Sequence, residues 1–332
     1  MELKSEILHL LRNSQDYISG QELCNKFQVS RTAIWKNINS LKEDGYDIEA
    51  VRNRGYLLRE TSDVLNGEEI KRYLHTKYMA GHIIFQKEMD STNIRAKQAY
   101  KDNMPEGTLV ITEKQTAGRG RRGRMWDSPQ GEAIYMTLLL KPAVHPADAS
   151  TMTLVMALSL AKAFQELYSL PDGQEGVQIK WPNDLVLHKK KITGILTEMS
   201  ADMDSIHFAI IGVGINVNMT EFSEDLKEKA TSLRLETGLT LPRAKVIAKA
   251  MEYFEADYEK FMESHTMKGL KEDYEKFLVN MDASVRVLDP KGEYTGIARG
   301  INEKGELLVE RDGEIIQVYS GEVSVRGIYG YV

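Results

Sequence analysis

Gln115-Thr116-Ala117-Gly118-Arg119-Gly120-Arg121-Arg122-Gly123-Arg124-Met125-Trp126 is the stretch on which the reading of this chain turns. From Gly118 to Arg124 every residue is Gly or Arg. Such a run has no apolar face to bury, so it suits neither a helix nor a strand. Glycine reaches positive φ without steric penalty and lets a backbone come close to a ligand. Clustered guanidiniums repel one another until an anion arrives, and each planar fork then binds phosphate or carboxylate through two hydrogen bonds. By composition a loop that orders over a multiply charged ligand is matched by two plainer readings, a solvated basic turn and an RNA-binding Arg-Gly tract. The flanks separate them. Residues 108–112 before the loop and 133–140 after it read as apolar strands. A basic glycine loop held between buried strands is the setting of a site more often than of a tail.

Lys180-Trp181-Pro182-Asn183-Asp184 is the next informative stretch. Residues 177–179 lead in as a strand, Pro182 stops it, and Asn183-Asp184 turns the chain. A strand resumes over 185–187, Lys189-Lys190-Lys191 makes another turn, and 192–199 is a further strand. Lys180, Lys191 and the Asn-Asp turn thus gather at strand ends. A lysine triplet at a hairpin tip is usually a solvated turn, but Lys191 leads straight into the apolar run 192–196 and is placed to face a cleft. Residues 206–217 form a long apolar strand carrying Gly212-Val213-Gly214-Ile215-Asn216. The third glycine of a dinucleotide fingerprint is missing and the segment is not strand-then-helix, so a Rossmann reading is weak. Upstream, 67–74 reads as helix and 82–87 as strand, and Asp90-Ser91-Thr92-Asn93 opens a helix over 94–99. Ser, Thr and Asn there are ordinary caps, yet free N–H groups beside hydroxyl and amide side chains also suit a polar ligand head. Residues 151–167 make a strongly apolar buried helix. Further helices are expected over 242–264, with Pro at its start, and over 267–278.

At the N-terminus Leu3, Ile7, Leu10 and Leu11 recur at helical spacing. Ser19-Gly20-Gln21-Glu22 is a capping box for a short helix ending near Phe27, and Ser30 caps the next. Ile34, Ile38 and Leu41 form one buried face of that helix, and Gly45 is placed to end it. Arg31, Thr32, Lys36 and Asn37 fall away from that face, and the side taken by Trp35 is open. Strands over 46–51 and 56–59 flank Arg52-Asn53-Arg54-Gly55. Three helices and a hairpin resemble a winged helix-turn-helix, whose third helix enters the major groove while the wing touches phosphates. Arg31, Thr32, Lys36, Asn37, Arg52 and Arg54 are the DNA-binding candidates. A helical adaptor or dimerisation domain is the competing reading, since residues 1–60 hold nine acidic and nine basic residues. At the other end, short strands over 284–288, 294–301, 307–310, 315–318 and 323–328, punctuated by glycine turns, predict a small SH3-like β-barrel.

The 332 residues exceed one typical domain. A polar linker over 61–67 gives an α+β chain of three domains, 1–62, 67–280 and 281–332. A net charge of −6 leaves no overall basic field, so any nucleic-acid contact needs a local patch. A single cysteine, Cys24, excludes an intrachain disulfide, and the seven histidines hold no pair at metal-ligand spacing. No signal-peptide core and no apolar run of about 18 residues is present, so no membrane role and a cytoplasmic location are expected.

With these residues assembled, the chain resembles biotin protein ligases. The likeness is carried, in order, by the Gly/Arg loop with Trp126, by Lys180 to Asp184, by Lys191-x-x-Gly194-Ile195-Leu196, and by Gly212 to Asn216. The N-terminal helices make it similar to the bifunctional class, which also represses biotin operons. The resemblance implies a central mixed α/β catalytic domain of the biotin/lipoate ligase type. It implies that biotin and ATP, with Mg²⁺, give biotinyl-5′-adenylate and pyrophosphate, and that the biotinyl group then passes to a lysine of the biotin carboxyl carrier protein of acetyl-CoA carboxylase and related carboxylases. It assigns catalysis to Lys191 and Arg121. Ser91, Thr92, Asn93, Gln115, Arg119 and Gly120, with the same two cations, surround biotin. Arg121, Arg124, Trp126, Asn183 and Asn216 belong to the nucleotide side, with Trp126 under the adenine, and Asp184 to the metal. The implied partners are the carrier domain, operator DNA, and a second copy of the chain when adenylate is bound. Two alternatives stay open: a ligand-sensing transcription factor without catalysis, and a lipoate-type ligase.

Overall fold

A computed structural model describes residues 3–59, 63–168, 176–289, 292–320, 323–327 and 332. The chain divides into two units, Met1–Leu65 and Asn66–Val332.

The first unit holds α1 (Leu3–Arg12), α2 (Gly20–Phe27), α3 (Arg31–Glu43) and a hairpin of β1 (Ile48–Val51) with β2 (Gly55–Leu58). Ile7, Leu8 and Leu11 meet Leu23, Ile34, Ile38, Leu41 and Ile48 in one core. Both expected caps form: Ser19 Oγ accepts the Glu22 N–H at 3.1 Å and Ser30 Oγ the Ala33 N–H at 3.2 Å. Past α3, Gly45 lies at φ +100°, and the N–H groups of Gly45 and Tyr46 bond back to Lys42 and Leu41. Gly55 has to be glycine, because its φ is +118° and a Cβ there would lie 2.1 Å from the Ile18 carbonyl oxygen. That contact sets the hairpin against the residue before α2, and Ile18 and Tyr56 exchange two 2.9 Å backbone hydrogen bonds. Arg31, Thr32, Lys36, Arg52 and Arg54 are exposed. Trp35 joins them at 56% exposure, which settles the side it takes. Asn37 differs from expectation: it is half-buried and its Nδ2 donates to the Ala33 carbonyl at 2.9 Å, so its amide turns to its own helix.

In the second unit α4 (Gly67–Tyr73), β3 (Ile83–Met89), α5 (Thr92–Lys101), β4 (Leu109–Gln115), β5 (Ala133–Leu140) and α6 (Thr151–Leu167) come first. Then follow β6 (Gln178–Lys180), β7 (Asp184–Leu187), β8 (Lys190–Ala201), β9 (Ile206–Asn216), α7 (Leu233–Thr237), α8 (Arg243–Ser264) and α9 (Lys271–Phe277). Strands β3 to β9 build one sheet in the order β3-β4-β5-β9-β8-β7-β6, antiparallel except for β3 beside β4. All of β5 is buried because both sheet faces are covered. Ala96 and Ala99 of α5 pack on Val110, Leu139 and Ile210, which share one face by register. Thr153 of α6 reaches Thr197 at 2.7 Å on the other face, where α8 packs on α6. Helix α9 begins later than its apolar pattern predicts, since Gly269 at φ +79° breaks the helical path.

β10 (Ser284–Asp289), β11 (Gly292–Ile301), β12 (Leu307–Arg311), β13 (Glu314–Val318) and β14 (Ser324–Gly327) form a second antiparallel sheet, ordered β13-β12-β11-β10-β14. β13 and β14 are its edges, so among the described residues no ladder closes the expected barrel. Ile328, the expected last strand residue, lies outside the described residues. The Trp181 Nε1–H donates to the Gly305 carbonyl at 3.0 Å and ties this sheet to the larger one. Among the described residues no helix is long and apolar enough to cross a membrane.

Candidate active site

The cleft opens where β4, β5, β8 and β9 run beneath the start of α5 and the Gly/Arg loop. Its floor is made by glycines. Register sets Gly194 opposite Gly214 and Leu196 opposite Gly212. A Cβ on Gly212 would lie 2.2 Å from Asn93 Oδ1, and one on Gly214 would lie 2.5 Å from the Trp126 ring. On Gly194 it would meet that ring at 2.7 Å and Lys191 Nζ at 3.0 Å. The Gly-x-Gly of β9 therefore makes room for side chains above the sheet and is not part of a helix-opening phosphate turn.

Ser91, Thr92, Asn93, Gln115, Arg119, Gly120, Arg121, Trp126, Asn183 and Lys191, all candidates from sequence, line this one cleft. Ser91 precedes α5 but makes no side-chain capping bond, so the plain capping role does not explain it. Gln115 instead fills that place: its Oε1 accepts the Thr92 N–H at 3.0 Å. The loop is more ordered than its composition predicts. Gly120 N–H bonds to Arg124 O at 2.7 Å and Trp126 N–H to Gly118 O at 3.1 Å, with a single 3₁₀ turn over Arg121–Gly123 at the tip. Arg121 turns inward, its guanidinium 2.7 Å from Asn183 Oδ1 and 3.2 Å from the Ser320 carbonyl. Trp126 lies on the glycine floor with Lys191 Nζ 5.2 Å from its ring centre, and its buried Nε1–H has no hydrogen-bond partner. About 50 Å³ stays free in the cleft.

Three candidates fall outside the lining. Arg124 is exposed on the outer limb of the loop. Asn216 is buried and donates to the Thr231 carbonyl at 3.0 Å, which holds the segment after β9 against the sheet. Asp184 is buried beside the cleft, 2.7 Å from Lys191 Nζ and 3.0 Å from Asn183 Nδ2. Among the described residues no group of three His, Cys, Asp or Glu could hold a metal ion.

Other residues matter beyond the expected site set. Lys180 is buried, and burial pulls its pKa down to about 8, against the opposing pull of Asp184 and with the repulsion of Lys191, Arg326 and Arg121 adding to it. The segment after β9 forms a wall: Lys191 exchanges backbone bonds with Lys229 and Thr231, and Met219 and Phe222 pack with Tyr135 and Trp126. Lys180 was visible in sequence as a lysine at a strand end before the Asn183-Asp184 turn. Adding a methyl at Gly212 tests the floor. Gly212→Ala is expected to lower stability by about 1–3 kcal/mol in urea titrations, the range for overpacking a filled site, and to raise the KM of whatever ligand uses Asn93.

The comparisons with known proteins agree over the whole chain. Residues 4–57 match an HTH domain model, 85–216 the biotin/lipoate A/B protein ligase family, and 283–326 the biotin protein ligase C-terminal domain. The bifunctional ligase/repressor BirA of Bacillus subtilis is 36% identical over 97% of this chain and 98% of its own length. The protein of the same name from Escherichia coli is 33% identical over 97% and 96%. Biotin protein ligase from Aquifex aeolicus, solved with biotin and ATP, superposes at a TM-score of 0.64 with 33% identity, covering 74% of this chain and 99% of that one. By sequence identity, coverage and domain order, this chain belongs to the biotin protein ligase family, in its bifunctional ligase/repressor class.

Proposed function

We propose that the cleft joins biotin to ATP and then hands the biotinyl group to a carrier lysine. The observation that carries this is one cleft with a polar end, Thr92, Asn93 and Gln115 by Gly212, and a cationic end, Lys191 and Arg121, with the charge of buried Lys180 close enough to repel both. An acid with a polar head and a reactive carboxylate fits that polarity. In the first step a carboxylate oxygen attacks the α-phosphorus, the bond to the β-phosphate oxygen breaks, and pyrophosphate leaves. Like charges must be brought together, so cations in a water-poor site supply the main stabilisation. Lys191, oriented by Asp184, is assigned to the reacting phosphoryl oxygens, and Arg121 with Asn183 to holding the adenylate. In the second step an uncharged lysine amine attacks the acyl carbon and AMP departs. The donor set offers Mg²⁺ one nearby carboxylate, Asp184, so most of its ligands would come from phosphate and water, and when bound it would reduce the phosphate charge. We assign Trp126 to covering the bound adenylate once it lifts from the glycines, and Ser91, Arg119 and Gly120 to the biotin side. Asn216 is assigned a supporting role behind the nucleotide, and Arg124 one at the rim.

The first unit is assigned to operator DNA through α3 and the β1–β2 wing, with the exposed Arg31, Thr32, Lys36, Arg52 and Arg54 as its contacts. Asn37 supports α3 instead. Adenylate binding is proposed to favour a dimer that presents two such units to two half-sites. We read the chain as three domains, the C-terminal sheet being an SH3-like fold, acting on a biotin carboxyl carrier protein in the cytoplasm.

Exchange of labelled pyrophosphate into ATP tests the reaction class. Exchange is expected with biotin and absent with lipoate. Exchange with lipoate alone would make this a lipoate-type ligase, and tight adenylate binding without exchange would make it a sensor. The Lys180 ammonium adds a pH dependence. Its pKa of about 8 lies below the usual lysine value, so the charge is present below pH 8 and lost above it. The kcat/KM for ATP, which reports the free enzyme, is expected to fall about tenfold per unit beyond that point. Lys180→Arg should hold its activity there, and a parent profile that stays flat removes Lys180 from the phosphate contacts. For DNA, the Arg52→Ala/Arg54→Ala variant is expected to reduce the slope of log K against log salt by roughly 1–2. Fluorescence anisotropy over a salt series reads this, and an unchanged slope puts the wing off the DNA.

A further inference from the structure

The polar groups at the Gly212 end of the cleft form one continuous hydrogen-bonded chain, and its far end is a carboxylate. Lys97 Nζ lies 2.8 Å from Glu198 Oε1, and Asn93 Nδ2 donates to Glu198 Oε2 at 2.7 Å. Thr137 Oγ1 lies 2.7 Å from Asn93 Oδ1 and 2.8 Å from Thr92 Oγ1. Gln115 Oε1 takes the Thr92 N–H, and Gln115 Nε2 donates to Ser128 Oγ at 3.2 Å. The chain runs from β8 through α5, β5 and β4 to the outgoing limb of the Gly/Arg loop.

The protons on this chain leave the Thr92 hydroxyl none to spare. A carboxylate only accepts hydrogen bonds. Glu198 stays ionised: burial alone would raise its pKa, but the hydrogen bonds from Lys97 and Asn93 outweigh burial and lower it. Asn93 must therefore aim its amide nitrogen at Glu198 and its oxygen at Thr137. An amide oxygen only accepts, so the Thr137 hydroxyl gives its single proton to Asn93. The Thr137 oxygen can then only accept, and the group within reach is the Thr92 hydroxyl. The Thr92 proton is spent within the chain in either case, on Gln115 Oε1 at 3.2 Å, whose second lone pair can take it beside the Thr92 N–H, or on Thr137 Oγ1 at 2.8 Å. Thr92 lines the cleft, and its oxygen is left with a lone pair and no proton to offer.

We propose that Glu198 is a positioning residue that sets the hydrogen-bond polarity of the cleft, making Thr92 an obligate acceptor for a ligand N–H such as those of the cyclic urea of biotin. The inference rests on the biotin-ligase reading of this cleft. A glutamine at 198 can donate as well as accept, so Asn93 can turn over and the whole chain can run in the opposite sense, with Thr92 offering a proton where the ligand also offers one.

Steady-state kinetics of adenylate formation by the full chain tests this. Glu198→Gln is expected to raise the KM for biotin roughly tenfold, the effect of one buried hydrogen bond of about 1.4 kcal/mol, with kcat and the KM for ATP within about twofold of the parent. Glu198→Asp, which keeps the carboxylate, should restore most of the biotin affinity. Thr137→Val breaks the chain without touching the Lys97 pair and should give the same biotin-specific loss. The Glu198→Gln/Thr137→Val double variant should be no worse than either single change, because both act through one chain. Equal biotin KM in parent and Glu198→Gln overturns the proposal, as does a loss shared equally by biotin and ATP. Additive losses in the double variant overturn it too, and Thr137→Val alone decides if Glu198→Gln does not fold. A parent that uses no biotin overturns the underlying reading first, and is told apart by having no biotin KM to compare.

Discussion

Two neighbouring strands meet without side chains where Gly194 faces Gly214, and the site depends on that pairing. Paired antiparallel strands lie only about 4.7–4.9 Å apart, so removing the side chains from facing positions opens a slot across both. Trp126 and Lys191 occupy the space above Gly194 and Gly214, and Asn93 the space above Gly212. A slip of one residue between β8 and β9 would turn Ile195 and Val213 into the slot and destroy it. The slip is prevented because the opposite sheet face is packed under α6 and α8, where Ile195, Ile211 and Val213 are already buried. Core packing on one face thus maintains an empty floor on the other.

The second determinant is charge. Lys180, Lys191 and Arg121 converge near Asn183, with Asp184 the acidic group paired to Lys191. Burial pulls the Lys180 pKa down to about 8, and repulsion from Lys191 and Arg121 adds to it against the pull of Asp184, so holding the charge there opposes folding. Such an arrangement is favoured by an anionic ligand and is of little use to the fold alone. Arg121 meanwhile rests on Asn183 and the Ser320 carbonyl, so the loop is held in shape by neutral acceptors that a phosphate, as a charged acceptor, can outbid. The other end of the cleft works by different means. There the carboxylate of Glu198 gives direction to a row of hydroxyls and amides.

The N-terminal unit solves a simpler problem. Its core is local, its caps are local, and its basic residues project from α3 and the wing because the other faces are occupied by Ile34, Ile38 and Leu41. A chain with net charge −6 can still present a basic surface of this kind, since screening limits each charge to about 8–10 Å.

Features that depend on near neighbours were legible from sequence. Ser19 and Ser30 cap because a hydroxyl three residues from an N–H can reach it in any context, and α6 spans Thr151–Leu167 as its apolar run predicts. The Gly/Arg loop, the Lys180 to Asp184 turn and Lys191 stood out because their composition is unsuited to a core. Other features were decided across the sheet. Asn37 turned to its own helix, Asn216 served the segment beyond β9, and the C-terminal strands stayed open at β13 and β14 among the described residues. Glu198 lies in a predicted strand with nothing local to mark it, and the Gly-x-Gly at Gly212 is only a weak nucleotide signal. Their roles arise from Asn93, more than a hundred residues earlier in the chain, brought over them by β5 and β9 pairing. Local sequence determined which segments became helix, strand and basic loop, because capping and periodicity act over a few residues. Only the tertiary structure decided which lone pair, charge or bare glycine faces the cleft, because register and long-range packing set those directions.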